Sequence, residues 1–275
     1  MKPKSPLSGL KIAVVGAGNM GQALMKGLIE KSVYAQSISV FDVDRKKLES
    51  LKKEGVKIAK SNRQAVSLAD VVILAVKPQI LPDAIQDIAT AVDKSALVIS
   101  IAAGVPMAKI EQYFKRPVCL VRAMPNMPAL VGKGMSAFSL GRHATPKHCR
   151  IAQTILDSFG ESAIVPERAL DLVTAVSGSG PAYFFLLAEK LIEAAYGLGM
   201  KADLAKKLVY QTALGSGALM AQSSEDPDDL VSRVASKGGT TEAALKAFQK
   251  NGFGRMVQEA VKAAYKRSIE LRKGQ

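Results

Sequence analysis

Lys11-Ile12-Ala13-Val14-Val15-Gly16-Ala17-Gly18-Asn19-Met20-Gly21 carries a short β-branched run straight into a GxGxxG turn, and residues 20–30 behind it have apolar residues at helical spacing. Strand, glycine turn and helix in that order make the phosphate-binding fingerprint of a βα unit. Gly16 permits the tight turn, Gly18 lets the backbone approach a pyrophosphate, and Gly21 lets the helix lie close to the sheet. Ala17, Asn19 and Met20 complete the loop, whose first-turn amides face the anion. The plainer alternative is a tight βα turn with incidental glycines. Asp42 stands 21 positions after Gly21, where an acid accepts hydrogen bonds from the adenosine ribose of NAD and disfavours a 2′-phosphate. Arg45, Lys46 and Lys47 follow it and would neutralise the extra phosphate of NADP, or form a solvated helix face. NADPH and NADH both stay open.

Outward from this loop, strand patterns at 11–15, 37–42, 70–76, 97–101, 118–122, 134–140 and 162–165 alternate with helical patterns at 20–30, 45–54, 82–92, 107–114 and 146–159. That alternation predicts an α/β fold with a doubly wound, mostly parallel Rossmann-like sheet over residues 1–165. After Val165 the β-branched runs stop, and residues 166–275 read as an all-α domain. Its helices at 182–198 and 202–222 are apolar on most faces, which predicts either a central place in their own domain or burial against a second copy of the chain.

With 275 residues, 48% of them hydrophobic, the chain builds a substantial core and is no disordered or disulfide-stapled sequence. A formal charge of +14 favours anionic partners without choosing among them. The longest uninterrupted apolar run, 182–188, has about seven residues against the ~18 of a membrane span, so no transmembrane helix is expected. The stretch from Met1 to Gly9 has no apolar segment of a secretory signal. Cys119 and Cys149, without a CxxC, suit a reducing, cytoplasmic compartment.

Two more segments lie at carboxyl ends of strands, the edge where open α/β sheets bind ligands. Ala75, Val76, Lys77 and Pro78 form the first, with Lys77 either a phosphate contact or a solvated loop residue. Ala102, Ala103 and Gly104 form the second, small enough for a nicotinamide or its ribose to approach the backbone. His143 and His148 flank a turn and read as a helix entrance, and no metal site is expected from them. GxSxG, HExxH and GxxxxGK[ST] motifs are absent. An alcohol dehydrogenase needs an acid/base, whereas reduction of an iminium needs hydride delivery and positioning.

Ser177-Gly178-Ser179-Gly180-Pro181 and Ser236-Lys237-Gly238-Gly239-Thr240-Thr241 read as glycine-rich helix entrances. Amides at Gly239, Thr240 and Thr241 suit a carboxylate, and the Ser236 and Thr241 hydroxyls a neighbouring polar atom. Alternatively, Thr240 or Thr241 is only an N-cap.

These segments, with Arg122-Ala123-Met124-Pro125-Asn126, resemble the pyrroline-5-carboxylate reductases from Lys11 to about Ala264. The resemblance implies a Rossmann domain, a helical dimerisation domain that interlocks with a second subunit, and reduction of the cyclic imine by NADPH or NADH. It implies that Ser236, Gly239, Thr240 and Thr241 hold the substrate, with Thr241 donating to the ring nitrogen, and that Glu167 and Thr174 border the pocket. It also implies a place for Asn62 on the adenosine side of the cofactor. The chain departs from the family pattern at Met127, Ala235 and Lys237. One rival is another cyclic-imine reductase or a hydroxyacid dehydrogenase on the same scaffold, for which Lys190 is the candidate proton donor. The other is a dinucleotide-sensing or nucleic-acid-associated protein, against which the basic residues are dispersed without interleaved aromatics. Neither nucleic acid nor membrane is therefore expected as a partner.

Overall fold

The computed structural model describes residues 5–31 and 33–274; Met1 to Lys4 of the N-terminal stretch read above lie outside them. Residues up to 179, together with 264 onward, form one compact unit, and Gly180–Ala263 a second. The first unit therefore extends past the boundary at 165/166 and regains the chain's last turns.

In the first unit, β1 (Ile12–Val15), α1 (Asn19–Glu30), β2 (Ile38–Phe41), α2 (Lys46–Lys53), β3 (Lys57–Ile58), α3 (Asn62–Val66), β4 (Val71–Leu74), α4 (Leu81–Ile88), β5 (Leu97–Ser100), α5 (Met107–Phe114), β6 (Cys119–Met124), β7 (Gly134–Leu140), α6 (Pro146–Leu156) and β8 (Gly160–Ile164) alternate along the chain. The sheet order is β3-β2-β1-β4-β5-β6-β7-β8. Among the described residues, β6 and β7 are the one antiparallel pair. β3 and α3 were too short to read from periodicity.

Both faces of the sheet's centre are covered, which is why β1, β4 and β5 are buried at every position rather than at alternate ones. Ile12 and Val14 face one core with Leu24, Met25 and Leu28 of α1. Ala13 and Val15 face the other with Leu81, Ile85 and Ile88 of α4. Each fully buried aliphatic side chain contributes about 1.5–3 kcal/mol, so the two cores rigidly fix the strand ends that carry the loops. The order reverses at β1, which lies between β2 and β4, and the crevice outside these carboxyl ends is the expected ligand position.

After β8 come α7 (Leu170–Val173) and a π-helical turn, Thr174–Gly178. The helical turns then continue, so that Glu167–Gly197 is one 31-residue run, long and apolar enough to cross a membrane by length and composition. It is not an uninterrupted apolar run in the sequence, because Ser177 to Gly180 and the charges at Glu189 and Lys190 break it, which is why no such helix is expected from the sequence. The second unit holds α8 (Gly180–Gly197), α9 (Ala202–Gln222), α10 (Pro227–Val234), α11 (Thr240–Lys250) and the start of α12 (Phe253–Lys273). Within it α8 and α9 pack together, yet only Gly180 and Ala205 of the two are buried.

Candidate active site

The glycine loop is braced on two sides. Gly16 N–H donates to Phe41 O at 2.9 Å, and Ala17 N–H donates to Asp42 Oδ2 at 2.7 Å. Gly16 sits at φ +99°, and a Cβ there would fall 2.8 Å from Ala75 O; one at Gly21 would fall 2.6 Å from Gly16 O. A Cβ at Gly18 would meet nothing within 4 Å. Gly18 is also the N-cap of α1, with no side-chain cap, and the first-turn amides have no carbonyl one turn back. An open face over uncapped amides fits the pyrophosphate of a dinucleotide.

Asp42 is more committed than its position suggests. Besides Ala17 N–H on Oδ2, its Oδ1 accepts from Asp44 N–H at 2.8 Å and lies 3.7 Å from Lys47 Nζ. Both oxygens are engaged, and the charge is offset by a lysine. Asn62 opens α3 and donates to Asp87 Oδ2 at 3.2 Å. Residues 75–78 leave the end of β4, with Ala75 and Val76 against Gly16 and Lys77 exposed. Ala102 is buried, Ala103 exposed, and Gly104 at φ +77°.

Glu167 acts behind the loop at 102–104. Its Oε1 accepts from Met107 N–H at 2.8 Å, the first amide of α5, and from Arg122 Nη1 at 3.0 Å. Arg122 is only 5% exposed, so an unpaired guanidinium there would be costly. Sequence reading gave Arg122 no role; the signal was a cation inside the apolar strand 118–122.

Ser177 to Pro181 does lead into a helix, α8 opening at Gly180 with Pro181 in its first turn, but that helix follows directly on the π-helical turn rather than on a loop. Pro181 has no N–H for Ser177 O, one α-turn back, and its ring crowds that carbonyl. The π-turn relieves this, with Ser179 N–H bonding Thr174 O at 2.8 Å. Asn126 Nδ2 donates to the released Ser177 O at 3.2 Å, and Asn126 Oδ1 accepts from Met135 N–H at 2.8 Å. Gly178 lies under Met124, whose Cε would be 2.7 Å from a Cβ. Thr174 Oγ1 donates to Leu170 O at 2.7 Å, so its proton is spent locally. π-turns of this kind recur at functional sites. Asn126→Ala leaves two polar groups short of a partner and is expected to cost about 2 kcal/mol, read as a lower urea midpoint at unchanged slope.

In the second unit the segment before α11 also differs in part from its reading. Gly239 N–H donates to Ser236 O at 2.9 Å, and Gly238 N–H to the Glu242 carboxylate. Gly239 thus has no spare amide, and the anion-binding set reduces to the first-turn amides from Thr240 on. Gly239 itself is the N-cap and makes no side-chain cap, so neither Thr240 nor Thr241 spends its hydroxyl on capping. A Cβ at Gly239 would lie 2.5 Å from Ser236 Oγ. Hydrogen bonding to Lys246, then to Gly238 N–H, holds the Glu242 carboxyl below the usual range. This clasp is complete above that range and is lost as pH falls through the lowered value. Lys237 is exposed.

Lys190 bonds both Glu193 oxygens at 2.9 Å on an exposed helix face, with its pKa raised chiefly by that bond. It is a surface ion pair. His148 does mark a helix entrance: its Nδ1 accepts from Thr145 N–H at 3.2 Å in a capping box.

Residues 167–271 match the family model described as pyrroline-5-carboxylate reductase dimerisation. Residues 11–104 match that described as NADP oxidoreductase, coenzyme F420-dependent. A pyrroline-5-carboxylate reductase of Pseudomonas aeruginosa is 41% identical over 263 residues, covering 95% of this chain and 96% of the relative. The chain belongs to the pyrroline-5-carboxylate reductase family. A Synechocystis reductase of that name is 37% identical over 266 residues, 96% of this chain and 99% of the relative. The solved family structure from Coxiella burnetii superposes with a TM-score of 0.91 at 34% identity, over 95% of this chain and 98% of that one. A Plasmodium falciparum pyrroline carboxylate reductase with NADP bound gives 0.86 at 29%, over 96% and 98%. Family membership fits the two-part plan seen here, a glycine-loop sheet followed by helices.

Proposed function

We propose that the chain reduces 1-pyrroline-5-carboxylate to L-proline and takes NADPH in preference to NADH. Residues 1–165 would hold the dinucleotide, and residues 166–275 the substrate and a second copy of the chain. The observation that carries this reading is the near full-length match to reductases of that name, on a chain that keeps both uncapped helix N-termini. Steady-state assays test it. NAD(P)H oxidation is expected with the pyrroline substrate and not with hydroxyacids, and the reverse pattern would overturn it.

When bound, a reduced nicotinamide would supply the hydride for the imine carbon and be oxidised in doing so, with a proton from solvent for the ring nitrogen, so that C=N would become CH–NH. The amides opening α11 hold the substrate carboxylate, where the helix dipole also favours an anion. Thr241 Oγ1 donates to the ring nitrogen, polarising the C=N bond toward attack. Ser236 positions a neighbouring polar atom, and Gly239 contributes by having no side chain against Ser236. Glu167 braces α5 behind the loop at 102–104, and Thr174 secures the turn before the π-helix. At the cofactor end, residues 16–21 take the pyrophosphate, Asn62 and residues 75–78 border the adenosine side, and residues 102–104 border the nicotinamide. Preorganised polar contacts then supply most of the rate. No metal enters this scheme.

The NADPH preference rests on Asp42. A carboxylate already bonded to Ala17 and Asp44 and paired with Lys47 is a poor acceptor for a ribose diol, and the basic run 45–47 opens α2 beside it. Lys47→Ala is expected to lower kcat/KM for NADPH about tenfold, the equivalent of one charged hydrogen bond, with NADH changed less than about twofold. Equal losses for both cofactors would refute the assignment.

The helical domain presents Phe184, Phe185, Leu214 and Tyr210 at 55–67% exposure. Large apolar side chains this exposed on two packed helices mark a protein contact, and the dimerisation match over 167–271 favours a second copy over a bilayer as their cover, with larger assemblies built of such dimers. The free thiols Cys119 and Cys149 suit a cytoplasmic enzyme.

A further inference from the structure

One buried carboxylate outside the proposed machinery ties the two ends of the helical chain together. Asp171, in α7, has a side chain only 5% exposed. Its Oδ1 accepts from Ser268 Oγ at 2.9 Å, and its Oδ2 lies 2.8 Å from Arg272 Nε, an ion pair of opposite charges without hydrogen-bond alignment. Ser268 and Arg272 are one turn apart on α12, so a single carboxylate grips the same face of that helix twice. The grip seats the helix end against a cofactor loop: a Cβ at Gly104 would lie 3.7 Å from Leu271 Cβ and 3.9 Å from Arg272 N. One turn before Asp171, Glu167 holds Met107 N–H at the far end of the same loop. Residues 102–106 are therefore bracketed, by Glu167 on the helix they lead into and by the last turns of α12 at Gly104. Gly104, at φ +77°, has no side chain with which to fix its own position.

We propose that Asp171, Ser268 and Arg272 are positioning residues, a latch by which the last turns of α12 set the loop at 102–104 and thereby the nicotinamide geometry. The proposal rests on the reading that this loop borders the nicotinamide. A buried pair broken on one side leaves an uncompensated charge, so the latch is held closed, and the loop is held with it. Because sub-ångström placement at the reacting carbon governs rate, a shift of this loop acts on turnover more than on binding.

The test uses Arg272→Gln, Asp171→Asn and Ser268→Ala in the full chain. NADPH turnover is measured beside the affinity for adenosine 2′,5′-bisphosphate, a fragment without the nicotinamide. Arg272→Gln and Asp171→Asn are expected to lower kcat about tenfold with fragment affinity unchanged, Ser268→Ala to do less, and Arg272→Lys to recover most of the loss. Loss of kcat and fragment affinity in parallel, or no loss, would overturn the latch. Arg272, at 40% exposure, carries the test if Asp171→Asn does not fold. Gly104→Ala separates the two layers. If it lowers kcat while the latch variants do not, the latch alone fails. If it leaves kcat untouched and NADPH binds no better than the fragment, the placement of the nicotinamide fails.

Discussion

Thr241→Ala lowers kcat with the pyrroline substrate by on the order of 100-fold, the usual effect of removing one preorganised donor from a developing charge, while the Kd for NADPH stays within about twofold. The expectation follows from how α11 begins. Its N-cap is Gly239, without a side chain to bond the first-turn amides, so the Thr241 hydroxyl is not consumed in holding the helix. Alanine is the better helix former, and the substitution leaves the helix itself sound. Thr241→Ser, which keeps the hydroxyl, restores most of the rate. An unchanged kcat for Thr241→Ala would remove the hydroxyl from the reaction. A parallel loss of NADPH affinity would place it on the cofactor instead.

Gly18→Ala and Gly21→Ala are expected to fail in opposite ways. At Gly18 the added carbon meets no protein atom within 4 Å, so the thermal midpoint stays within about 2 °C by the usual scale for surface changes. The carbon instead occupies the face where the pyrophosphate approaches. Displacing two amide–phosphate bonds at ~1.5 kcal/mol each weakens NADPH about 100-fold. At Gly21 the carbon would be 2.6 Å from the backbone oxygen of Gly16. That contact has no flexible partner to yield, so the loss appears first in stability, by about 1–3 kcal/mol for an overpacked site. Denaturation curves and NADPH titrations on both variants check this. If Gly18→Ala binds NADPH as the parent does, the loop does not hold the pyrophosphate.

The lysine substitution at the adenosine end and the latch at the nicotinamide end complete the series. Together they probe the cofactor at three points along its length, and Thr241 probes the substrate.

Much of this site is local, and so was legible along the chain. The loop at 16–21 works through backbone conformation, and glycines spaced between an apolar strand and an amphipathic helix are a one-dimensional pattern. The strands and the helix at 202–222 were readable for the same reason. The segment at 236–241 was less so, because which amides are spare depends on bonds from Ser236 and Glu242. The glycines at 177–181 marked the start of α8 but not the π-helical turn that runs into it. What decides that stretch is Pro181 meeting a helix that already exists, with Asn126 from β6's end supplying the missing partner for Ser177.

The residue order alone determined a doubly wound sheet with a phosphate-binding turn and a following block of helices, because β-branched runs, helical spacing and glycine placement are properties of neighbours in the chain. Only the tertiary structure decided that Asp42 braces the glycine loop, that Glu167 caps a helix 60 positions earlier, and that Asp171 holds Ser268 across 97 positions. Those roles belong to single charged side chains whose partners are remote in sequence. A carboxylate's pattern is the same whether it faces water, a ligand or a buried arginine, so its role is set only when folding brings the partner to it.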